Sequence, residues 1–265
     1  MLNQTPPILF LCYRRPEQTK RVWEAIRLAA PKKLYIASDG PKHGEEELCK
    51  EVQKITLKID WPCEVKRLNR TENLGCGKAV SEAISWFFEQ EEQGVILEDD
   101  TLPHPDFFRF CDEMLQKHQS NENILMVSGN NKTGYAENGC SYSTINLSNI
   151  WGWATWRRAW QNFDYEMKSW KELKHDLYLS EASGDVYKHK LSQYQQTFDG
   201  KIDSWGYRWE CAVLARKGKC IIPNRNLIEN IGFGPGAAHT LAPIPGIYNT
   251  VNLGLDFPLI HPQCK

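Results

Sequence analysis

The sequence predicts a single α/β domain, an α/β/α sandwich on a mostly parallel central sheet. Two observations carry that expectation. Short apolar runs alternate with amphipathic stretches through the first half, the pattern of strands buried on both faces beneath crossover helices. The chain is also long enough for one large core, with 265 residues, 41% hydrophobic and 25% charged, a balance that excludes disordered and fibrous classes.

Ile8–Tyr13 reads as a buried first strand, and Pro16 opens a helix whose inner face is Val22, Trp23, Ile26 and Ala30. Leu34–Ser38 is a second strand, stopped by the turn signal Asp39-Gly40-Pro41. A helix through Glu46 to Leu57 leads to a third strand, Cys63–Leu68. Asn73–Lys78 then enters a helix with Val80, Ala83, Ile84, Phe87 and Phe88 at the helical period. That helix delivers the chain to the apolar run Gly94–Leu97, which ends in Glu98, Asp99 and Asp100. The prolines of Thr101–Pro105 keep the next stretch extended, and Asp106 is a good N-cap for a helix carrying Phe107, Phe108, Cys111, Met114, Leu115 and His118. From Ile124 onward the regular crossovers stop. Short strands at Ile124–Val127, Tyr142–Leu147 and Lys219–Ile222 are separated by aromatic-rich segments, and seven of the ten tryptophans lie between 151 and 209. Trp153, Trp156 and Trp160 have helical spacing, so these rings either stack on sugar faces or fill the core.

The formal net charge is -1 with no run of five like charges, which argues against a nucleic-acid partner. Nine cysteines stand singly, without a C-x-x-C pair, as in a reducing cytosolic compartment rather than a disulfide framework or zinc site. The apolar run after the first residues is about six long, too short for a signal peptide or membrane span, and the expectation is a cytoplasmic protein.

In open parallel sheets ligands bind beyond the carboxyl ends of the strands. That rule gathers Arg14, Arg15, Asp39, Asn73 through Lys78, and Glu98 through Asp100 into one crevice. Cations for phosphate, a carboxylate for a base or ribose, glycines for close approach and acids for a metal make a coherent nucleotide-diphosphate site. Taken singly, Arg14 and Arg15 also read as a solvated pair, and Asp39 as a turn residue. Gly75-Cys76-Gly77-Lys78 lacks the P-loop spacing, and Ala79 stands where the magnesium hydroxyl belongs. Three successive carboxylates at the tip of a buried strand need full solvation or a bound cation. Mn²⁺ or Mg²⁺ suits them, being held by one or two carboxylates together with substrate phosphates.

The run Leu97-Glu98-Asp99-Asp100-Thr101-Leu102-Pro103-His104-Pro105-Asp106-Phe107-Phe108 resembles the acidic motif of the metal-dependent GT-A glycosyltransferases, especially those like N-acetylglucosaminyltransferase I. Further segments follow in the same order. The first-strand end with Cys12 and the Asp39 position are similar to that family's nucleotide pocket, Trp151-Gly152-Trp153 to its acceptor-side segment, and Asp203-Ser204-Trp205 to its catalytic region. The resemblance implies a Rossmann-like GT-A domain, with residues 1 to about 130 binding the nucleotide sugar and about 131 to 265 holding acceptor and catalytic groups. It implies an inverting transfer from a nucleotide sugar, UDP-linked by first expectation, to a saccharide or lipid-linked saccharide, with peripheral membrane association where the acceptor is a lipid. Asp100 would hold the metal, Asp99 and Glu98 would face ribose and sugar, and Trp151, Gly152, Trp153 and Trp205 would face the acceptor. Ser204 replaces the second aspartate of the family's pair, so the base is Asp203 or Glu210, and Asp203 also reads as the cap of a helix containing Trp205, Trp209 and Val213. The glycine-rich segment Asn230–Thr240 resembles the family's closing loop, with His239 toward the diphosphate or metal, or on the surface. Two other readings stand beside this one: a sugar-nucleotide nucleotidyltransferase, which needs a glycine-rich basic first loop that Tyr13-Arg14-Arg15-Pro16 does not supply, and a non-catalytic glycan-binding protein.

Overall fold

The computed structural model describes residues 5–131, 139–146, 149–179, 185–233 and 253–262. In chain order these form β1 (Ile8–Cys12), α1 (Pro16–Ala29), β2 (Lys33–Ser38), α2 (Glu46–Thr56), β3 (Glu64–Asn69), α3 (Cys76–Phe88), β4 (Gln93–Glu98), β5 (Thr101–Pro103), α4 (Pro105–Lys117) and β6 (Ile124–Ser128). Then come β7 (Tyr142–Ile145), β8 (Trp153–Trp156), α5 (Arg157–Trp160), α6 (Trp170–Leu179), α7 (Asp185–Phe198), α8 (Trp205–Ala215), β9 (Lys219–Pro223) and β10 (Ile228–Asn230).

Eight strands make one sheet in the order β3-β2-β1-β4-β8-β6-β9-β7, with β8 and β7 running against the other six. The expected mostly parallel α/β sandwich is what the chain forms. Its handedness follows from the order. Right-handed crossovers from β1 to β2 and from β2 to β3 put α1 and α2 on one face, and the return from β3 to β4, on the far side of β1, puts α3 on the other. The carboxyl ends of β1 and β4 therefore meet at the point where strand order reverses, the place where such sheets open a crevice. The register pairs Leu11 with Glu98, which sets Tyr13–Arg15 beside Asp99 and Asp100.

The central strands are apolar for the reason expected: every residue of β1 and of β6 is buried. Edge strand β3 is half-exposed along its length and carries Glu64, Lys66 and Arg67. Two local expectations are corrected. Helix α4 begins at Pro105 with His104 as N-cap, its ring Nδ1 accepting from the amide of Asp106, so Asp106 lies inside the first turn and its carboxylate instead accepts from Leu255 N at 3.0 Å. The helical spacing of Trp153, Trp156 and Trp160 is also misleading, because Trp153–Trp156 is strand β8, inserted antiparallel between β4 and β6. A spacing of three fits a helix face, but a strand buried on both sides needs no periodicity at all. Alternation then sends Trp153 to one layer, against Trp160, Trp205 and Trp209, and Trp156 to the other, where its indole donates to Leu115 O at 3.1 Å.

Trp153 is 1% exposed, so Trp153→Ala should cost about 3–5 kcal/mol of stability through lost burial and a residual cavity. Urea unfolding checks this, with the half-buried Trp151→Ala expected to cost clearly less.

Candidate functional site

At the switch point a cleft of about 580 Å³ is lined by the ends of β1, β2 and β4, the start of α3, the turn before α8, and residues 150, 151, 230, 232 and 233. Twelve of the residues singled out in the sequence reach it: Cys12, Arg14, Arg15, Asp39, Asn73, Gly75, Glu98, Asp99, Asp100, Trp151, Asp203 and Trp205.

The acidic turn is built by Thr101. Its buried hydroxyl accepts from Glu98 N at 2.9 Å and donates to Glu98 O at 3.0 Å, closing a turn that fans the three carboxylates apart. Glu98 bonds the Trp205 side chain, and burial first, then the Asp100 charge, pushes its carboxyl up to about 8. Asp99 is 2% exposed, takes Tyr13 N at 3.2 Å and pairs with Arg15 Nη2 at 2.5 Å. Burial outweighs Arg15 and lifts the Asp99 carboxyl to about 6. Asp100 is the most open of the two aspartates and pairs through Oδ2 with Arg15 Nη1 at 2.8 Å. Arg15 was expected on phosphate; here it is the counter-cation of the cluster, a third way of offsetting the acids beside solvent and metal.

Asp203 lies across the cleft. Its Oδ1 accepts from Gly77 N at 3.0 Å, so a residue 126 positions away caps α3, whose own N-cap, Gly75 at φ 81°, has no side chain to do so. A Cβ at position 75 or 77 would stand 2.6 or 2.1 Å from the Asp203 carboxylate, which is why both residues are glycine. The cap of α8 is Ser204, accepting from Tyr207 N. Between the two acidic groups sits Cys76, whose thiol is pushed up to about 12 by burial and then by Glu98 and Asp203, with Arg15 opposing.

At the other end, Asp39 accepts from Gly40 N, Leu74 N and Gly75 N at 2.9 to 3.1 Å, fixing the loop into α3. Asn73 donates to Gly40 O and to Tyr13 OH, and Arg14 pairs with Glu45 at 2.6 Å. Trp151 meets the ring of Phe233 edge-on, centroids 5.9 Å apart, at the cleft mouth.

Four sequence candidates lie elsewhere. Lys78 is exposed and faces Glu82 along α3. Glu210 is buried with Lys190 at 2.6 Å and Tyr194 OH at 2.8 Å, in a second core cluster between α7 and α8, so helical direction carries it away from the cleft. Trp153 is core, and Gly152 is a packing glycine at φ 56° whose Cβ would strike Ile228. His239 lies outside the described residues. Tyr13, Lys42, Arg70, Asn230 and Phe233 line the cleft without having been singled out individually; the first three follow strands β1, β2 and β3, so the strand-end rule contained them.

Among the described residues no three His, Cys, Asp or Glu side chains converge as a ready-made cage. Of the several carboxylates that line the cleft, Asp100 offers a hard oxygen donor that is more open than its neighbour Asp99. That suits an ion held by one carboxylate and completed by phosphate and water.

No protein-family model matches the chain, and no curated protein matches it. Among solved structures it is similar to mannosyltransferase PcManGT from Pyrobaculum calidifontis in complex with GDP-Man and Mn²⁺, with 11% identity, TM-score 0.40, and 79% of this chain and 74% of that one covered. It is also similar to a UDP-glucose pyrophosphorylase complexed with UDP-glucose, with 10% identity, TM-score 0.43, and 85% and 93% covered. A third is 4-diphosphocytidyl-2C-methyl-D-erythritol synthase from Anaerococcus prevotii, with 8% identity, TM-score 0.35, and 74% and 84% covered. Likenesses this distant carry no argument about chemistry. Among the described residues no helix is long and apolar enough to cross a membrane.

Gly232 packs against the ion pair: a Cβ there would lie 2.3 Å from Asp100 Oδ2 and 2.9 Å from Arg15 Nη1. Gly232→Ala should therefore cost about 1–3 kcal/mol by overpacking. In a double-mutant cycle with Asp100→Ala, which removes the most closely struck atom, Oδ2, while Asp100 Cβ and Arg15 Nη1 remain, the two costs should be non-additive by more than ~0.5 kcal/mol.

Proposed function

We propose that this protein is a glycosyltransferase of the GT-A type that moves a sugar from a nucleoside diphosphate, UDP being the first to test, to a saccharide or lipid-linked saccharide. The observation that carries the reading is the gathering of Glu98–Asp100, Arg15 and Asp203 on the walls of one cleft at the switch point.

The chain's own groups divide the work. Lys42, Arg70 and Asn73, with the loop that Asp39 fixes, form the nucleoside end beyond β2 and β3. Asp100 holds Mn²⁺ or Mg²⁺, which when bound supplies Lewis-acid neutralisation of charge on the departing diphosphate. Trp205, anchored on Glu98 and stacked 5.6 Å from Trp153, shapes the wall near the transferred sugar. Asp203 takes the proton from the acceptor hydroxyl: its Oδ1 is held by Gly77 N and its Oδ2 receives the proton. Trp151 and Phe233 present aromatic surface to the acceptor at the mouth. A single displacement with inversion follows from one such base, and the product's anomeric configuration by NMR checks it.

The deciding assay offers UDP-sugars with Mn²⁺ and a panel of saccharide acceptors and follows release of the nucleoside diphosphate. Acceptor-dependent release is the expected outcome. Consumption of nucleoside triphosphate with pyrophosphate release would instead mark a nucleotidyltransferase, and sugar binding without release a glycan-binding protein. Asp203→Asn keeps an acceptor atom for Gly77 N, so it should lower turnover by roughly 10²–10⁴-fold while donor affinity changes little. Unchanged turnover would remove Asp203 from the chemistry.

A further inference from the structure

We propose that Arg15 is an exchangeable counter-ion: in the ligand-free protein it neutralises Asp99 and Asp100, and on loading of the cleft it yields Asp100 to the divalent cation and turns that edge of its guanidinium to the diphosphate. The proposal rests on the reading of the cleft as a nucleotide-diphosphate site.

The two aspartates are not equivalent partners. The Asp99 side chain is 3% exposed and that of Asp100 19% exposed. Asp99 also accepts from Tyr13 N, so its place is fixed from the backbone side. Asp100 stands nearer the cleft and is bonded to Arg15 through Oδ2 at 2.8 Å. A cation arriving at Asp100 and the Nη1 edge of Arg15 are like charges competing for one carboxylate, and they do not share it without cost. Yielding that carboxylate leaves Arg15 with Nη2 on Asp99 and a free edge of a planar fork, the geometry that pairs bidentately with phosphate oxygens.

The surroundings permit this exchange in the side chain alone. Arg15 is the N-cap of α1, with Pro16 next and its carbonyl accepting from Thr19 N at 2.9 Å, so its backbone is fixed. Over the pair lies Gly232, where any side chain would press on both Arg15 Nη1 and Asp100 Oδ2. The backbone there is tied by Gly232 N to Asn230 Oδ1 at 2.9 Å and by Ile231 N to Asp100 O at 2.8 Å. The consequence is thermodynamic: a cation alone must displace Arg15 with nothing to receive it, whereas a cation with a diphosphate provides the guanidinium a new partner. Metal and nucleotide then bind cooperatively, and the coupling is reciprocal.

The test is Mn²⁺ binding to the full chain, read from the free-ion EPR signal with and without UDP. Wild type should bind Mn²⁺ weakly alone and at least tenfold more tightly with UDP, within the usual range for such coupling. In Arg15→Gln, Mn²⁺ alone should bind roughly tenfold more tightly than in wild type and UDP should add less than about threefold. Arg15→Lys keeps the charge without the fork, so Mn²⁺ alone should stay weak and the UDP effect should fall below about threefold; this variant decides the matter if Arg15→Gln does not fold. Wild-type UDP coupling that depends on Asp100, together with either variant retaining the full coupling, overturns the exchange and leaves the cleft reading standing. No Asp100-dependent Mn²⁺ binding in wild type with UDP overturns both.

Discussion

The arrangement of the cleft depends on the ion pairs of Arg15 with Asp99 and Asp100. Three consecutive carboxylates end a strand whose preceding residues Val95, Ile96 and Leu97 are fully buried, and such charges are expensive to remove from water. One guanidinium reaching two of them, 2.5 and 2.8 Å away, meets much of that cost. It also ties the end of β1 to the end of β4, the two strands between which the sheet reverses its order. Removing one partner of a buried pair costs far more than the pair contributes net, so the arginine and the acids constrain each other. Glu98 has no such partner in Arg15's fork, and burial first, then the Asp100 charge, raises its carboxyl.

The second constraint ties the chain's two halves together. Asp203 and Trp205 come from the later half, yet one caps α3 and the other bonds Glu98. Helix α3 begins at a glycine and carries no capping side chain of its own, so its orphan amide is satisfied from 126 residues away. A carboxylate placed in this way is oriented before any ligand arrives, which is what a base requires. The cap expected of Asp203 on the helix of Trp205 and Trp209 belongs to Ser204 instead, while Asp203 caps α3, a placement compatible with the base proposed for it.

Much of this was legible in the sequence, unevenly. The strands of the first half could be read because each is a continuous apolar run with a polar stop, and the strand-end rule then named most of the cleft. The helix-start grammar failed at His104, because a proline at the first helical position moved the cap back from Asp106. Strand β8 was hidden because Trp153–Trp156 is buried on both sides and short. Glu210 was misplaced because its proximity to Asp203 in sequence says nothing about the direction in which a helical side chain points. The pairing of Arg15 with the acids was missed for a different reason: it joins residues 85 positions apart, and only the β1–β4 register brings them together.

The most direct measurement is a crystal structure with UDP and Mn²⁺, using anomalous scattering to locate the manganese. The expected result is one peak within bonding distance of the Asp100 carboxylate, with the diphosphate between it and Arg15 and the nucleoside toward Asp39 and Asn73. Nucleotide bound outside the β1–β4 crevice, or manganese on other side chains with Asp100 still paired to Arg15, would contradict it.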